Sequence, residues 1–144
     1  MPQSNSEPLS EAALLAMPAD DYMNERQLAF FKRYLNDLRR ETQEAIEAVK
    51  QAIAATEPEA DELDRAAMEE ENRQRLRIAE RQYFLLRKID TAFAKIDDGS
   101  YGFCEVTGEP IGLQRLLLRP TAELSAEEKT RQEQRERNYA KQRG

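Results

Sequence analysis

The sequence has no tryptophan and no histidine, a single cysteine, and only 7% aromatic residues in a chain of 144. With Cys104 as its one thiol, the chain cannot form an intramolecular disulfide. A mean hydropathy of −0.84 argues against a large enclosed core and favours elongated, solvated helices. We therefore expect one small domain, or one domain with an extended element.

Long apolar runs are also missing, since none approaches the roughly 20 residues that a membrane span needs. The chain does not open with a charged segment followed by an apolar one, as a secretory leader would. We expect a cytoplasmic protein with no membrane partner. The net charge of −6 disfavours direct, sequence-specific DNA binding, which relies on clustered lysine and arginine, and favours a protein partner.

Two long segments, at about 21–56 and 64–98, contain neither glycine nor proline. Their apolar residues recur at intervals of three and four, a pattern that predicts two helices packed along one seam. The expected seam positions are Leu28, Phe31, Leu35, Leu38, Ala45, Val49 and Ile53 in the first helix, and Leu76, Ala79, Tyr83, Leu86, Ile89, Phe93 and Ile96 in the second. We expect an all-α fold dominated by a long antiparallel coiled-coil hairpin over 21–98, with its tip at 57–66. Residues 1–20 are expected to form an N-terminal segment whose short helix, capped by Ser10, packs on the base of the hairpin.

Glycines are concentrated after the second helix, where Gly99 suits the left-handed conformation that ends a helix. Residues 100–112, here called the knuckle, hold three of the five glycines and predict a tight turn or small hairpin. Pro120 then leads into a last helix with a basic end. Residues 99–144 should therefore form a small globular domain with a C-terminal helix.

The segment DDGSYGFCEVTGEPIGLQRLLLRPTAEL at 97–124, together with DELDRAA at 61–67, resembles the DksA/TraR family over about residues 20–140. The resemblance implies a monomeric, non-enzymatic regulator that binds bacterial RNA polymerase through its secondary channel. It also implies that the protein acts with guanosine tetraphosphate (ppGpp) in the stringent response, modulating initiation and inhibiting ribosomal RNA promoters.

The knuckle resembles that family's zinc finger, but the four positions that would bind zinc are Cys104, Thr107, Ser125 and Glu128. A structural zinc site uses thiolate and imidazole ligands, so we predict a zinc-finger-like domain without metal. Ser125 to Glu128 has the S-x-x-E form of a capping box, which would fix the start of the last helix. Apolar packing should supply the remaining stability, through Phe103, Ile111, Leu113, Leu116, Leu118 and Leu124. Independence from zinc would suit a regulator that acts when zinc is scarce or thiolates are oxidised.

The tip is acidic, with eight carboxylates and one arginine between residues 57 and 72. An acidic loop before a helix is a common solvated feature that the helix dipole favours. The resemblance goes further, since it implies that Asp61, Asp64 and Ala66 are the residues that act inside the polymerase channel.

The resemblance also implies that Lys88, Arg119 and Lys129 hold ppGpp at the polymerase rim, while Leu85 and Arg81 support the polymerase contact. Cationic side chains can bind pyrophosphates by charge-assisted hydrogen bonds. The simpler interpretation of each cation is an exposed, solubilising charge.

Two alternative functions stay open at this point. A Gre-like transcript-cleavage factor would use Asp61 and Asp64 to hold a second Mg²⁺, although the sequence shows no Gre-like C-terminal β domain. A structural coiled-coil adaptor would need only the seam, and it would leave the knuckle and the capping box unexplained.

Overall fold

The computed structural model describes residues 8–143; the first seven residues of the predicted N-terminal segment lie outside the described part. The helices are α1 (Glu11–Leu15), α2 (Glu25–Ala54), α3 (Glu62–Asp98), α4 (Leu113–Leu118) and α5 (Ala126–Arg143), and a 3-10 turn at Ala19–Asp21 precedes α2. Residues 8–143 contain no β-strand beyond one isolated antiparallel bridge between Phe103 and Pro110. The predicted all-α fold with a long hairpin is confirmed. None of the described helices is both long and apolar enough to span a membrane.

The chain divides into two compact units. The hairpin unit comprises residues 35–91, and the knuckle unit comprises the described residues 8–34 and 92–143. Their interiors are built differently.

Antiparallel pairing in the hairpin unit is visible in the contacts between its two arms. Arg39 forms a salt bridge with Asp90 at 2.7 Å, Lys50 Nζ lies 5.8 Å from the centre of the Tyr83 ring, and the Thr56 hydroxyl lies 3.4 Å from Asn72 Oδ1. Partners on α3 move toward its start as the positions on α2 advance. This is the register of an antiparallel coiled coil.

Two of the seam positions expected on α3 are wrong by one residue. Ala79 and Ile89 are buried as predicted, but Leu76 and Tyr83 are 52% and 40% exposed. From Ala79, intervals of four and three lead to Arg75 and Gln82, which are half-buried. Leu76 and Tyr83 lie one residue further along, about 100° around the helix, so they lie beside the seam and not within it.

The α2 side of the hairpin seam contains a polar residue that the apolar pattern missed. Thr42 is 2% exposed between Leu35 and Ile46, which are also buried. Its hydroxyl donates to the Leu38 carbonyl at 2.6 Å, which satisfies the buried oxygen within the helix itself. The buried positions on α2 therefore include a polar residue as well as apolar ones.

The core of the knuckle unit is apolar and aromatic. Leu14, Phe31 and Leu116 are fully buried, and the Phe31 ring lies 5.6 Å from the ring of Tyr101. Helix α1, which carries Leu14, contacts α4, and Ser10 Oγ caps α1 by accepting the Ala13 amide at 3.1 Å, as predicted. Each side chain of this size contributes about 1.5–3 kcal/mol by burial.

One expected member of this core is exposed instead. Leu118, the last residue of α4, is 84% exposed, whereas Leu116 has no exposed surface. Two helical positions differ by about 200°, so a short helix that buries Leu116 turns Leu118 outward.

Tyrosine hydroxyls hold the irregular chain of the knuckle unit. The Tyr34 hydroxyl donates to the Leu117 carbonyl at 2.6 Å, and the Tyr101 hydroxyl donates to the Pro120 carbonyl at 2.7 Å. Burial raises the pKa of Tyr101. Chain outside helices and strands lacks a regular backbone partner, so buried carbonyls here need side-chain donors.

Tyr22 closes the knuckle in the same way and explains one glycine. Its hydroxyl donates to the Gly102 carbonyl at 2.6 Å and accepts the Gly112 amide at 3.0 Å. Gly102 has φ +89°, and a Cβ there would lie 3.0 Å from both the Met23 side chain and the Tyr22 hydroxyl oxygen. A larger residue at this position would clash as well as strain the backbone.

Candidate functional site

Cys104 lies at the centre of the degenerate zinc site. Cys104 is buried, with 3% of its surface exposed. Burial raises the pKa of the thiol, but hydrogen bonds from the Thr107 hydroxyl and from the backbone of Ser125, Thr107 and Val106 together lower it to about 6. These donors are directed at the sulfur, and they favour its charged form. At neutral pH the thiolate is thus stabilised by the chain itself.

Ser125 and Glu128 form the predicted cap of α5 in part. The Ser125 hydroxyl accepts the Glu128 amide at 3.2 Å, which is the first half of a capping box. The Glu128 carboxylate, only 4% exposed, is engaged instead by Arg131 and Arg135, each at 3.2 Å. A buried carboxylate is costly unless it is paired and hydrogen-bonded, and these two guanidinium groups supply both interactions.

The four degenerate positions are therefore brought together in the knuckle unit. The Thr107 hydroxyl and the Ser125 backbone amide form hydrogen bonds with Cys104, and the Ser125 hydroxyl accepts a hydrogen bond from the Glu128 amide. Across the described residues, no group of three or more histidine, cysteine, aspartate or glutamate side chains could hold a metal ion. One thiol, two hydroxyls and an arginine-paired carboxylate do not fit a structural zinc ion, which takes four thiolate or imidazole ligands.

The acidic tip connects the arms of the hairpin unit. Asp61, Asp64 and Ala66 are all exposed. Asp61 caps the start of α3, because its carboxylate accepts the Leu63 amide at 2.8 Å and its carbonyl accepts the Arg65 amide at 2.9 Å. The cap fixes Asp61 and the first turn of α3, which carries Asp64, relative to each other.

Just below the tip, polar side chains join the two arms. The Thr56 hydroxyl reaches both the Ala52 carbonyl at 3.1 Å and Asn72 Oδ1 at 3.4 Å. Arg75 donates to the same Asn72 oxygen at 2.9 Å. These bonds take the place of apolar contacts where the seam ends.

Three of the predicted polymerase and ppGpp residues lie on α3 in the hairpin unit. Arg81, Leu85 and Lys88 follow one another at intervals of four and three, so they share one face of the helix. Arg81 and Lys88 are exposed and Leu85 is half-buried. Lys88 Nζ lies 5.2 Å from the centre of the Phe84 ring.

The other two cations belong to the knuckle unit. Arg119 follows α4, where its amide donates to the Arg115 carbonyl at 2.8 Å and its side chain is exposed. Lys129 lies in the first turn of α5, half-buried, with Nζ 3.2 Å from Gln132 Oε1. Arg119 lies at the C-terminal end of α4 and Lys129 at the N-terminal end of α5, so the backbone of each residue is held by a helix.

Several residues at these sites were missed at the sequence level. Arg131 and Arg135 follow Glu128 by three and seven positions, a spacing that places them on one helix face and could have been recognised. Leu63, 81% exposed at the tip, and Phe84, 54% exposed beside Lys88, gave no signal in the apolar pattern. Exposure of a large apolar side chain is a tertiary property, so only the structure reveals it.

Two family models match most of the chain. One describes the N-terminal domain of the DnaK suppressor protein DksA and matches residues 27–96. The other describes the prokaryotic dksA/traR C4-type zinc finger and matches residues 99–134. The second match covers the degenerate site, although only one of the four zinc-binding positions carries cysteine in this chain.

Curated relatives and a solved structure agree with these matches. An RNA polymerase-binding transcription factor DksA from Caulobacter vibrioides (strain NA1000 / CB15N) is 47% identical over 123 residues, covering 83% of this chain and 87% of that protein. The protein of the same name from Escherichia coli (strain K12) is 40% identical over 126 residues, covering 85% and 82%. The structure of transcription factor DksA2 from Pseudomonas aeruginosa is 48% identical, with a TM-score of 0.81 over 89% of this chain and 99% of that one.

Proposed function

The chain belongs to the DksA/TraR family, and we propose that it is a non-enzymatic transcription regulator that binds bacterial RNA polymerase through the secondary channel. Relatives at 40–47% identity carry the name RNA polymerase-binding transcription factor, which supports the partner. The protein acts without contacting specific DNA sequences, and it modulates initiation, inhibiting ribosomal RNA promoters in the stringent response.

The observation that carries this proposal is the acidic tip between two antiparallel helices. Asp61 and Asp64 are exposed, and the Asp61 cap holds them at the start of α3. Each arm within the hairpin unit is about 30 Å or more in length at 1.5 Å per residue. A slender pair of helices can carry two carboxylates into a narrow basic channel, and the small side chain of Ala66 permits close approach.

In the proposed complex, ppGpp binds at Lys88, Arg119 and Lys129, with Leu85 and Arg81 supporting the polymerase contact. Exposed lysine and arginine side chains on helices provide the charge-assisted donors that pyrophosphate groups require. The bound ppGpp would thereby increase the affinity of the regulator for the polymerase. Its inhibition of transcription would then be stronger when ppGpp is present.

The proposed regulator works without zinc. The support is the chemistry of the degenerate site, where Cys104 is stabilised by hydrogen bonds and Glu128 by two arginines. Those interactions occupy the positions from which a zinc finger would bind its metal.

The test is in vitro transcription from a ribosomal RNA promoter with purified polymerase and protein treated with EDTA, with and without ppGpp. We expect the treated wild type to inhibit, ppGpp to deepen the inhibition, and Asp64→Asn to inhibit at least tenfold less while still binding polymerase. Glu62→Gln is the matched control, because it removes the same charge from the same helical turn, and it should inhibit like wild type.

Three results would contradict the proposal. Equal inhibition by Asp64→Asn and wild type would show that the Asp64 carboxylate has no role in inhibition. Loss of activity after EDTA treatment would show that the protein requires a metal. Release of short transcripts from arrested complexes would instead support a Gre-like cleavage factor. Circular dichroism of each variant excludes unfolding as the cause.

A further inference from the structure

Phe84 is an exposed aromatic residue placed next to two cations. Its side chain is on α3 in the hairpin unit and is 54% exposed. The Arg87 guanidinium carbon lies 5.5 Å from the centre of its ring and Lys88 Nζ lies 5.2 Å from it. Both distances are within the range of cation–π attraction.

The hairpin does not need Phe84 for its core. The neighbouring Leu85 and Leu86 are half-buried and Ile89 is fully buried, so the seam passes through other positions. Phe84 nevertheless leaves more than half of a large apolar side chain in solvent, where burial contributes little. Its exposed ring is in contact with the cations of Arg87 and Lys88.

We propose that Phe84 is a positioning residue for Lys88, holding the ammonium group over its ring so that it is oriented for a phosphate of the bound nucleotide. This inference rests on the proposed ppGpp surface. A free lysine has four rotatable bonds and loses rotamer freedom when it binds a ligand. A ring that already restricts the side chain removes part of that cost before binding.

A second aromatic–cation pair in the same unit supplies the matched control. Tyr83 is 40% exposed, precedes Phe84 in the chain, and has Lys50 Nζ 5.8 Å from its ring centre. Lys50 lies on the other arm and is not part of the proposed nucleotide surface. Tyr83→Leu therefore removes an aromatic ring of similar exposure and the restraint on a different lysine.

The competing explanation is that Phe84 only covers the aliphatic stems of Arg87 and Lys88 and stabilises the helix. Phe84→Leu retains a large apolar side chain and a good helix former but has no aromatic face. Phe84→Trp retains the face and strengthens the attraction. The two substitutions separate the effect of the ring from the effect of apolar bulk.

The first measurement is on the free protein, by NMR of the Lys88 side chain. A lysine held over a ring has ε-methylene protons shifted upfield by the ring current. We expect Phe84→Leu to remove this shift and Phe84→Trp to keep it. Lys88 shifts that are the same in wild type and Phe84→Leu would overturn the inference, whatever ppGpp does.

The second measurement is the ppGpp concentration that gives half-maximal inhibition in the transcription assay. Phe84→Leu should raise it about two- to fivefold, the range for an exposed cation–π pair. Phe84→Trp should leave the wild-type value unchanged or lower it, and Tyr83→Leu should not change it. Lys88→Ala should raise it further than Phe84→Leu.

The Lys88→Ala result separates the two ideas. If Lys88→Ala weakens the ppGpp response and Phe84→Leu does not, the positioning role is wrong while the proposed surface stands. If Lys88→Ala has no effect, the proposed surface is wrong at Lys88, and the role of Phe84 in nucleotide binding falls with it.

Discussion

The knuckle unit and the hairpin unit obtain their order from different interactions. In the knuckle unit, Phe31 and Leu116 are fully buried and tyrosine hydroxyls bond to carbonyls of irregular chain. In the hairpin unit, burial is confined to a narrow seam that includes the polar Thr42. Its arms are also joined by partly exposed pairs such as Arg39 with Asp90.

The comparison indicates which of the two units depends on specific side-chain bonds. A helix satisfies its own backbone hydrogen bonds, so the hairpin needs few side-chain partners. The knuckle has little regular structure and needs either a metal or many specific side-chain bonds. In this chain such side-chain bonds are concentrated in the knuckle unit, which contains Cys104. Substitutions in the knuckle unit should therefore have the largest effects on stability.

The largest expected effect comes from the fully buried Leu116. Leu116→Ala should lower the free energy of unfolding by about 2–5 kcal/mol, because it removes apolar contacts and leaves a cavity. Leu118→Ala, two residues away on the same helix, removes the same atoms from an 84% exposed position and should change it by less than about 0.5 kcal/mol. Urea denaturation of both variants measures the difference, and equal effects would contradict the assigned core.

Stability should depend on pH through Cys104. The pKa of its thiol is about 6 in the folded chain and about 8.5 when unfolded, so unfolding takes up a proton between these values. The stabilisation is complete above pH 8.5 and is lost as pH falls through 6, with a slope of at most about 1.4 kcal/mol per pH unit. The sequence has no histidine, so no other side chain normally titrates in this window.

Urea midpoints at several pH values, with thiolate absorbance near 240 nm to follow ionisation, measure this dependence. Cys104→Ala should have a nearly flat profile between pH 6 and 8.5. A wild-type profile as flat as that of the variant would show that the thiol is not held as a thiolate.

Glu128 should have an intermediate effect. Glu128→Gln keeps the shape of the side chain but removes the charge that binds Arg131 and Arg135, which should cost about 1–3 kcal/mol. Both arginines are more than half exposed and can be solvated, so a larger loss is not expected. Glu127→Gln, at an 84% exposed neighbour, is the control for thermal denaturation and should have little effect.

The smallest expected effect is in the hairpin unit. Asp90→Asn breaks the pair with Arg39, whose side chains are 69% and 32% exposed, and should cost less than about 1 kcal/mol. Added salt should reduce the difference between this variant and wild type, because exposed charges are screened. If Asp90→Asn lowered the free energy of unfolding as much as Glu128→Gln does, the expected difference in sensitivity between the two units would be wrong.

Much of the fold follows from local patterns in the sequence. The two segments free of glycine and proline become α2 and α3, Ser10 caps α1, and Gly99 adopts φ +85° after α3. The structure also brings together the four degenerate zinc positions that the family resemblance identified. The functions proposed for Asp61, Asp64, Ala66 and the cationic residues stay predictions.

The errors have a common origin in side-chain direction. The apolar pattern predicts an interior position for Leu76, Tyr83 and Leu118, yet they are 40% to 84% exposed. On α3 the preceding residues, Arg75 and Gln82, are half-buried instead, and on α4 it is Leu116 that is fully buried. A shift of one residue turns a helical side chain by about 100°. The spacing of apolar residues along the chain does not define the side-chain direction that closely.

The sequence by itself determined the helices, the hairpin, the acidic tip and the loss of the zinc ligands, because these depend on residue type and on spacing along the chain. The tertiary structure decided which partners the remaining groups have. It directs the Thr107 hydroxyl and the backbone amides of Ser125, Thr107 and Val106 at Cys104, pairs Glu128 with two arginines, and leaves Phe84 exposed beside Lys88. These partners depend on how elements distant in the chain pack and on how each helix is rotated, which residue type alone does not fix.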